Sequence, residues 1–296
     1  MRFSKMHGAG NDFIMVDATE RPFDLSAERI RALCDRRYGV GCDQLLVVEK
    51  SELAGVDFKY RIFNCSGGEV EMCGNGARCF AVFVRERGLT DKRTIACETV
   101  KGIIRPHVED DGTVTVDMGA PRFLPQDVGL IADAIETRRE GGDVLYGVSA
   151  GGEKNWFSIV SMGNPHAVLT VDNIRTDFVS AVGSALQTTP VFAHQVNAGF
   201  LQVLSSREVN LRVYERGAGE TLACGTGACA AVVAGIRRGL LSEDVLVHMR
   251  GGDIRVRWAG IGADGTPASV YLSGPAVTVF EGEVDPDAIE LPEVNF

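Results

Sequence analysis

Arg61-Ile62-Phe63-Asn64-Cys65-Ser66-Gly67-Gly68-Glu69-Val70-Glu71-Met72-Cys73-Gly74-Asn75-Gly76-Ala77 returns in altered form as Arg212-Val213-Tyr214-Glu215-Arg216-Gly217-Ala218-Gly219-Glu220-Thr221-Leu222-Ala223-Cys224-Gly225-Thr226-Gly227-Ala228. With Cys73 laid on Cys224 the two stretches align without a gap, at an offset of 224 − 73 = 151 residues. Arg61 falls on Arg212, Phe63 on Tyr214, Gly68 on Gly219, Glu69 on Glu220 and Val82 on Val233. An offset close to half of 296 residues reads as two domains of one fold. Each copy passes from an alternating strand, through a glycine-bearing loop, to Cys-Gly-x-Gly-Ala and a helix.

Outward from the repeat, period-two alternation dominates. It predicts strands at Val56 to Phe63, Val114 to Val116, Phe157 to Val160, Phe200 to Leu204, Val209 to Tyr214, Ile254 to Trp258 and Ala268 to Leu272. Helices are fewer. Ser26 caps one, with Leu25 and Ile30 as its staple and Gly39 as its end. Two more run from Gly76 to Arg87 before Gly88, and from Gly227 to Arg238 before Gly239. The polar stretch from Asp127 to Gly152 is expected to hold a hairpin near the join. Strands outnumber helices without strict alternation, so the fold class is α+β with mixed or antiparallel sheets.

Composition removes several functions. A net charge of −10, with no run of five basic residues, disfavours a nucleic-acid partner. No apolar run reaches the ~18 residues of a membrane span, and the start lacks a signal-peptide core, so a cytoplasmic protein with no membrane partner is expected. The eight cysteines include no C-x-x-C pair, which argues against a metal centre. Cys34, Cys79, Cys97 and Cys229 are expected as small core residues.

Cys73 and Cys224 invite chemistry. Each stands just before a helix, whose first turn offers unpartnered N–H groups and about half a positive charge. A thiol there ionises more readily, and a carboxylate or oxyanion finds N–H donors. Two such thiols facing one carbon suit a two-base inversion, in which one removes a proton and the other delivers one. A helix end alone contributes ~0.3–2 kcal/mol. Several N–H bonds of ~1.5–3 kcal/mol each, in a closed dry cleft, are needed to acidify an α-proton. Packing of helix ends, a nucleophilic cysteine with His166, and a redox pair of Cys73 with Cys224 are alternatives these residues leave open. A Rossmann phosphate loop is excluded, because both motifs lack the third glycine.

Longer motifs add a resemblance. Lys5-Met6-His7-Gly8-Ala9-Gly10-Asn11-Asp12-Phe13, Gly41-Cys42-Asp43-Gln44-Leu45-Leu46, Met162-Gly163-Asn164-Pro165-His166 and Gly274-Pro275-Ala276-Val277, together with both cysteine segments, resemble the diaminopimelate epimerases over nearly the whole chain. The resemblance implies two pseudo-symmetric domains wrapped around a central helix, residues 1–120 with 275–296 and residues 121–274, and a site in the cleft between them. It implies an isomerase that needs no pyridoxal phosphate or other cofactor, works as a homodimer, and interconverts LL- and meso-diaminopimelate for lysine and peptidoglycan precursors.

Carried over by position, Cys73 and Cys224 are the acid/base pair, with His166 and Glu215 biasing their protonation. Gly74, Asn75, Gly225 and Thr226 hold the reacting carboxylate, and Asn11 and Gln44 line the site. Asn64, Asn164, Asn197, Glu215 and Arg216 read the distal amino-acid end, where amides and Arg suit a carboxylate and Glu suits an ammonium. Read singly, Asn11 is also a turn former, Gln44 a strand-edge residue, His166 a loop histidine and Glu215-Arg216 a solvated pair. Cys42 stands where these proteins usually carry Phe, and Phe280 where some carry Tyr. A proline or hydroxyproline racemase, expected to show Cys-Gly-His-Gly, is the nearest rival; a cysteine hydrolase and an amino-acid-binding protein are more distant ones.

Overall fold

The computed structural model describes residues 1–70, 73–131 and 135–291. The chain divides into two compact units, Met1–Val116 with Gly274–Phe296, and Asp117–Ser273.

The sheet of the first unit has eight strands. Val277–Glu283, Arg2–Gly8, Asn11–Asp17, Gln44–Glu49, Phe58–Asn64, Cys97–Thr99 and Gly102–Ile104 lie side by side in that order, with Glu69–Val70 also paired to Phe58–Asn64. Asn11–Asp17 and Gln44–Glu49 run parallel, joined through helix α1 (Ala27–Cys34). The other long pairs are antiparallel. Helix α2 (Gly74–Glu86) touches four of these strands and buries nearly its whole circumference. With helices on both faces, the strands read as continuous apolar runs such as Leu45-Leu46-Val47-Val48, all buried.

The second unit repeats this topology. Thr137–Glu140, Asp143–Ala150, Glu153–Ser161, Pro165–Thr170, Asn197–Ser205, Glu208–Glu215, Asp244–Met249, Gly252–Trp258 and Val270–Gly274 are neighbours in that order, with Gly219–Thr221 on Glu208–Glu215. Pro165–Thr170 and Asn197–Ser205 run parallel, joined through helix α3 (Phe178–Thr188), the counterpart of α1. Helix α4 (Gly225–Arg237) matches α2 and is apolar on all sides, as a helix enclosed by its own sheet must be.

The repeat extends to side-chain contacts. Arg61 donates Nε and Nη2 to the two carboxylate oxygens of Glu69, both at 2.9 Å. Arg212 does the same to Glu220, at 2.6 and 2.7 Å. A bidentate fork tying strand to returning loop fixes the approach to each cysteine.

Several expectations need adjustment. Both long helices begin at the glycine after the cysteine, two residues before the expected start. Helix α1 ends at Cys34 rather than near Gly39, because Asp35 turns extended and accepts from the N–H groups of Arg37 and Tyr38 at 2.7 and 2.8 Å. The last expected strand lies at Val270–Gly274. The hairpin within Asp127 to Gly152 is Thr137–Glu140 with Asp143–Ala150; residues 132–134 of that stretch lie outside the described residues. Helix α3 and the hairpin Arg2–Gly8 with Asn11–Asp17 are further elements that the periodicity does not announce. Among the described residues no helix is long and apolar enough to cross a membrane.

Candidate active site

In the first unit the site residues gather at strand ends around the start of α2. The two-residue loop Ala9-Gly10, with φ of +53° and +83°, turns Arg2–Gly8 into Asn11–Asp17 and sets Asn11 at the hairpin's mouth. Parallel pairing then puts Phe13 opposite Gln44, and antiparallel pairing puts Gln44 opposite Asn64. Gln44 Nε2 donates to Asn64 Oδ1 at 3.0 Å. Asn11 Oδ1 accepts from the Cys73 thiol and from Asn75 Nδ2, each at 3.4 Å.

Asn11 is itself held by a residue not singled out from sequence: its Nδ2 donates to Asp43 at 2.8 Å. Arg36 bridges Asp43 and Asp12, and Lys5 donates to Asp12 at 2.6 Å. Burial pushes the Asp12 carboxyl up, but hydrogen bonds from Arg36 and Lys5 win and hold it well below the ordinary carboxylate range. Lys5, Asp12 and Asp43 in the first two motifs were the available signal, with Arg36 outside both. Their meeting depended on the hairpin.

In the second unit, parallel pairing sets His166 opposite Asn197. Asn164 Nδ2 donates to Thr226 Oγ1 at 3.1 Å, and Asn164 Oδ1 lies 3.0 Å from His166 Nε2. Asn197 links two strands: its Nδ2 donates to the Pro165 carbonyl at 3.0 Å, and its Oδ1 accepts from the Arg216 N–H at 3.1 Å. Glu215 accepts from Thr221 Oγ1 at 2.6 Å, a second positioning contact that sequence did not signal.

Burial, and then the Glu215 carboxylate beside it, push the Cys224 thiol well above the ordinary thiol range; the Thr226 hydroxyl, 3.6 Å from the sulfur, opposes them. Burial, and then the Arg216 guanidinium, pull His166 down to about 3. His166 is therefore a neutral imidazole at pH 7, wedged between Asn164 and its strand. It is a buried strand residue rather than a loop one.

The second glycine of each motif has a packing role. A Cβ at Gly76 would stand 2.5 Å from Tyr60 Oη, and one at Gly227 would stand 3.1 Å from Val213 Cγ2 and 3.2 Å from the Cys224 sulfur. Both glycines let the helix lie close on its strand while leaving room at the thiol.

The fold is shared with solved structures. A phenazine biosynthesis protein of the PhzF family from Bacillus anthracis superposes with a TM-score of 0.69 at 19% identity, covering 96% of this chain and 98% of that one. A probable proline racemase from Agrobacterium radiobacter superposes with a TM-score of 0.65 at 13% identity, covering 96% and 92%. The class is thus the two-unit α+β fold of the PhzF and proline racemase proteins.

Sequence narrows it further. The profile for diaminopimelate epimerase matches twice, over residues 3–124 and 158–279, one match in each half. Diaminopimelate epimerases from Paraburkholderia xenovorans and Ralstonia pickettii are each 54% identical to it, over 99% of both chains and 98% of both chains respectively. The chain belongs to the diaminopimelate epimerase family.

Proposed function

We propose that the protein interconverts LL- and meso-2,6-diaminopimelate by two-base proton transfer at one α-carbon, with Cys73 and Cys224 as the bases and without pyridoxal phosphate. The observation that carries this is the recurrence, in a chain of this family, of a cysteine at the N-cap of an enclosed helix, with φ/ψ of −135°/119° at Cys73 and −134°/108° at Cys224. The chemistry requires the two sulfurs to reach one α-carbon from opposite sides.

With LL substrate, the Cys73 thiolate takes the α-proton and the Cys224 thiol gives one to the other face. Burial and the Glu215 carboxylate favour the protonated, donating form of Cys224. The α-carboxylate is held by backbone N–H groups of Gly74, Asn75, Gly225 and Thr226, where each helix presents its positive end. That interaction strengthens as charge develops at the neighbouring carbon. Asn11 and Gln44 line the reacting end, and His166, neutral, fixes Asn164 and so the Thr226 hydroxyl. Asn64, Asn164, Asn197, Glu215 and Arg216 read the distal amino acid. The protein acts in the cytoplasm, in lysine and peptidoglycan-precursor synthesis, as a homodimer; the edge strand Val277–Glu283 exposes Val277, Val279 and Phe280, which suits such a contact.

The test is proton NMR of LL-diaminopimelate in D2O with reduced protein, and proline and 4-hydroxyproline in parallel. Deuterium at one α-carbon, with meso product, is expected, and Cys73→Ala and Cys224→Ala should each lower the rate by about 10²–10⁴-fold. Exchange on proline or hydroxyproline instead would assign a sister racemase. Silence on all three by a folded, reduced sample would overturn the catalytic role of the thiols.

A further inference from the structure

Three other cysteines of the first unit, Cys34, Cys42 and Cys65, come together away from Cys73 in sequence. Cys34 ends helix α1, Cys42 precedes Asp43, and Cys65 follows strand Phe58–Asn64. The Cys42 thiol donates to the Cys34 sulfur at 3.3 Å, and both are buried. Cys65 is exposed; its thiol donates to the carbonyl oxygens of Cys42 and Asp43 at 2.8 and 3.0 Å, which sets its sulfur against the turn that carries Cys42. Among the described cysteines it is the exposed one, so the cluster has a single sulfur open to solvent and two behind it.

We propose that this cluster is an oxidation site for small hydroperoxides, at which Cys65 reacts first and Cys42 closes a disulfide onto it. In the first step the Cys65 thiolate attacks one peroxide oxygen. The O–O bond breaks, the sulfur is oxidised to a sulfenic acid, and the peroxide leaves as alcohol, or water for hydrogen peroxide, with the proton Cys65 had shed. In the second step the Cys42 sulfur attacks the sulfenic sulfur. The S–O bond breaks as the S–S bond forms, and hydroxide departs with the Cys42 proton as water. Two thiols and one hydroperoxide become one disulfide, one alcohol and one water. Cys34 is a positioning residue, accepting from the Cys42 thiol until that proton is needed.

Electrostatics agree with this order of events. Cys34 accepts from Cys42 and so keeps its own proton to donate to Cys65; that donation favours the Cys65 anion, and the Arg36 guanidinium adds to it against burial and the Asp12 charge, so Cys65 ionises below the ordinary thiol range. Cys42 is pushed far up by the two neighbouring sulfurs and by burial, which keeps its proton until the second step. The disulfide would tie the turn at Cys42-Asp43-Gln44 to the end of strand Phe58–Asn64, the segments that hold Asn11 and Asn64. The epimerase chemistry plays no part in the oxidation.

The test is limited hydrogen peroxide on the full reduced chain, quenched with iodoacetamide and mapped by mass spectrometry. Trypsin and a glutamate-specific protease place Cys42 within residues 38–49 and Cys65 within 62–69, apart from Cys73. A disulfide between those two peptides, formed while Cys73 and Cys224 remain alkylated, is expected. Cys65→Ser, which keeps a donor for the two carbonyls, should slow oxidation of Cys42 by about tenfold or more. Cys42→Ser should instead leave a sulfenic acid at Cys65 that dimedone labels. Oxidation of Cys73 or Cys224 ahead of Cys65, equal loss of the Cys42 thiol in Cys65→Ser, or no dimedone adduct in Cys42→Ser would each overturn the proposal.

Discussion

Cys73 and Cys224 cap their helices with nearly the same backbone, yet one thiol is half-buried against the Asn11 amide and the other is buried beside the Glu215 carboxylate. At the repeat's offset Asn64 corresponds to Glu215, Cys65 to Arg216 and Asn75 to Thr226. The same strand-end positions therefore carry a neutral amide and a thiol in the first unit, and a carboxylate and a guanidinium in the second. Backbone duplication decides where each sulfur stands, while three substituted side chains decide its charge environment. A symmetric scaffold can thus treat two thiols differently without moving either.

The largest test of that asymmetry is acid. His166 is neutral when folded, with its pKa pulled from 6.5 to about 3, so the unfolded chain binds the proton first. Its contribution is complete above pH 6.5 and is lost as pH falls toward 3, at up to about 1.4 kcal/mol per pH unit. Asp12, the half-buried ion-paired carboxylate of the first unit, has its pKa lowered from 3.8, so its contribution is lost only below that pH. Both tryptophans, Trp156 and Trp258, lie in the second unit. The melting temperature read by tryptophan fluorescence should therefore drop between pH 6.5 and 4, and His166→Gln should flatten the slope. An unchanged slope in that variant would remove His166 from the account.

Next in size is the second glycine of each motif. Gly76→Ala meets Tyr60 Oη at 2.5 Å and should cost about 1–3 kcal/mol in urea unfolding. Tyr60→Phe removes that oxygen, which is buried without a hydrogen-bond partner among the described residues, and should restore most of the loss. Gly227→Ala meets its neighbours at 3.1–3.2 Å. The gain in helix propensity, about 1 kcal/mol, should largely offset that crowding. Equal costs at the two glycines would mean that the helices seat alike.

The smallest effect concerns Glu215. Glu215→Gln removes the negative charge beside Cys224, so the thiol pKa should fall. Alkylation of Cys224 by iodoacetamide should then reach half-maximal rate at a lower pH, with Cys73 unaffected as the internal reference. A shift at Cys73 as large as that at Cys224 would contradict the separate environments.

Sequence showed the repeat, the α+β class, helices α2 and α4 within two residues, and the cysteines at their starts. It hid what depends on long-range pairing. Helix α3 has buried Val179, Val182 and Leu186 at helical spacing, and its place follows from α1 once the repeat is extended. At the same offset Ala27 falls on Phe178, the first residue of each helix, but the two segments share no residue that would mark the match. The first hairpin escaped because buried Ser4 and Lys5 interrupt its alternation, Lys5 being tolerated through Asp12 and the Gly41 carbonyl. Asp43 and Thr221, which hold Asn11 and Glu215, are ordinary loop or strand-end residues until pairing brings them across. His166 read singly as a loop histidine because Asn164-Pro165 precedes it, although Pro165 is the first strand residue, where a missing N–H is tolerated.

The strand Val277–Glu283, which pairs with Arg2–Gly8, also orders events during synthesis. The second unit is one continuous segment and is complete once Ser273 has emerged from the ribosome. The first unit starts earlier but must wait for a strand made after the whole second unit, with the edge of Arg2–Gly8 uncovered meanwhile. At about 5–20 residues per second that wait lasts tens of seconds. The nascent chain thus completes its later half first, and its opening hairpin is the segment longest exposed to chaperones and to premature strand pairing.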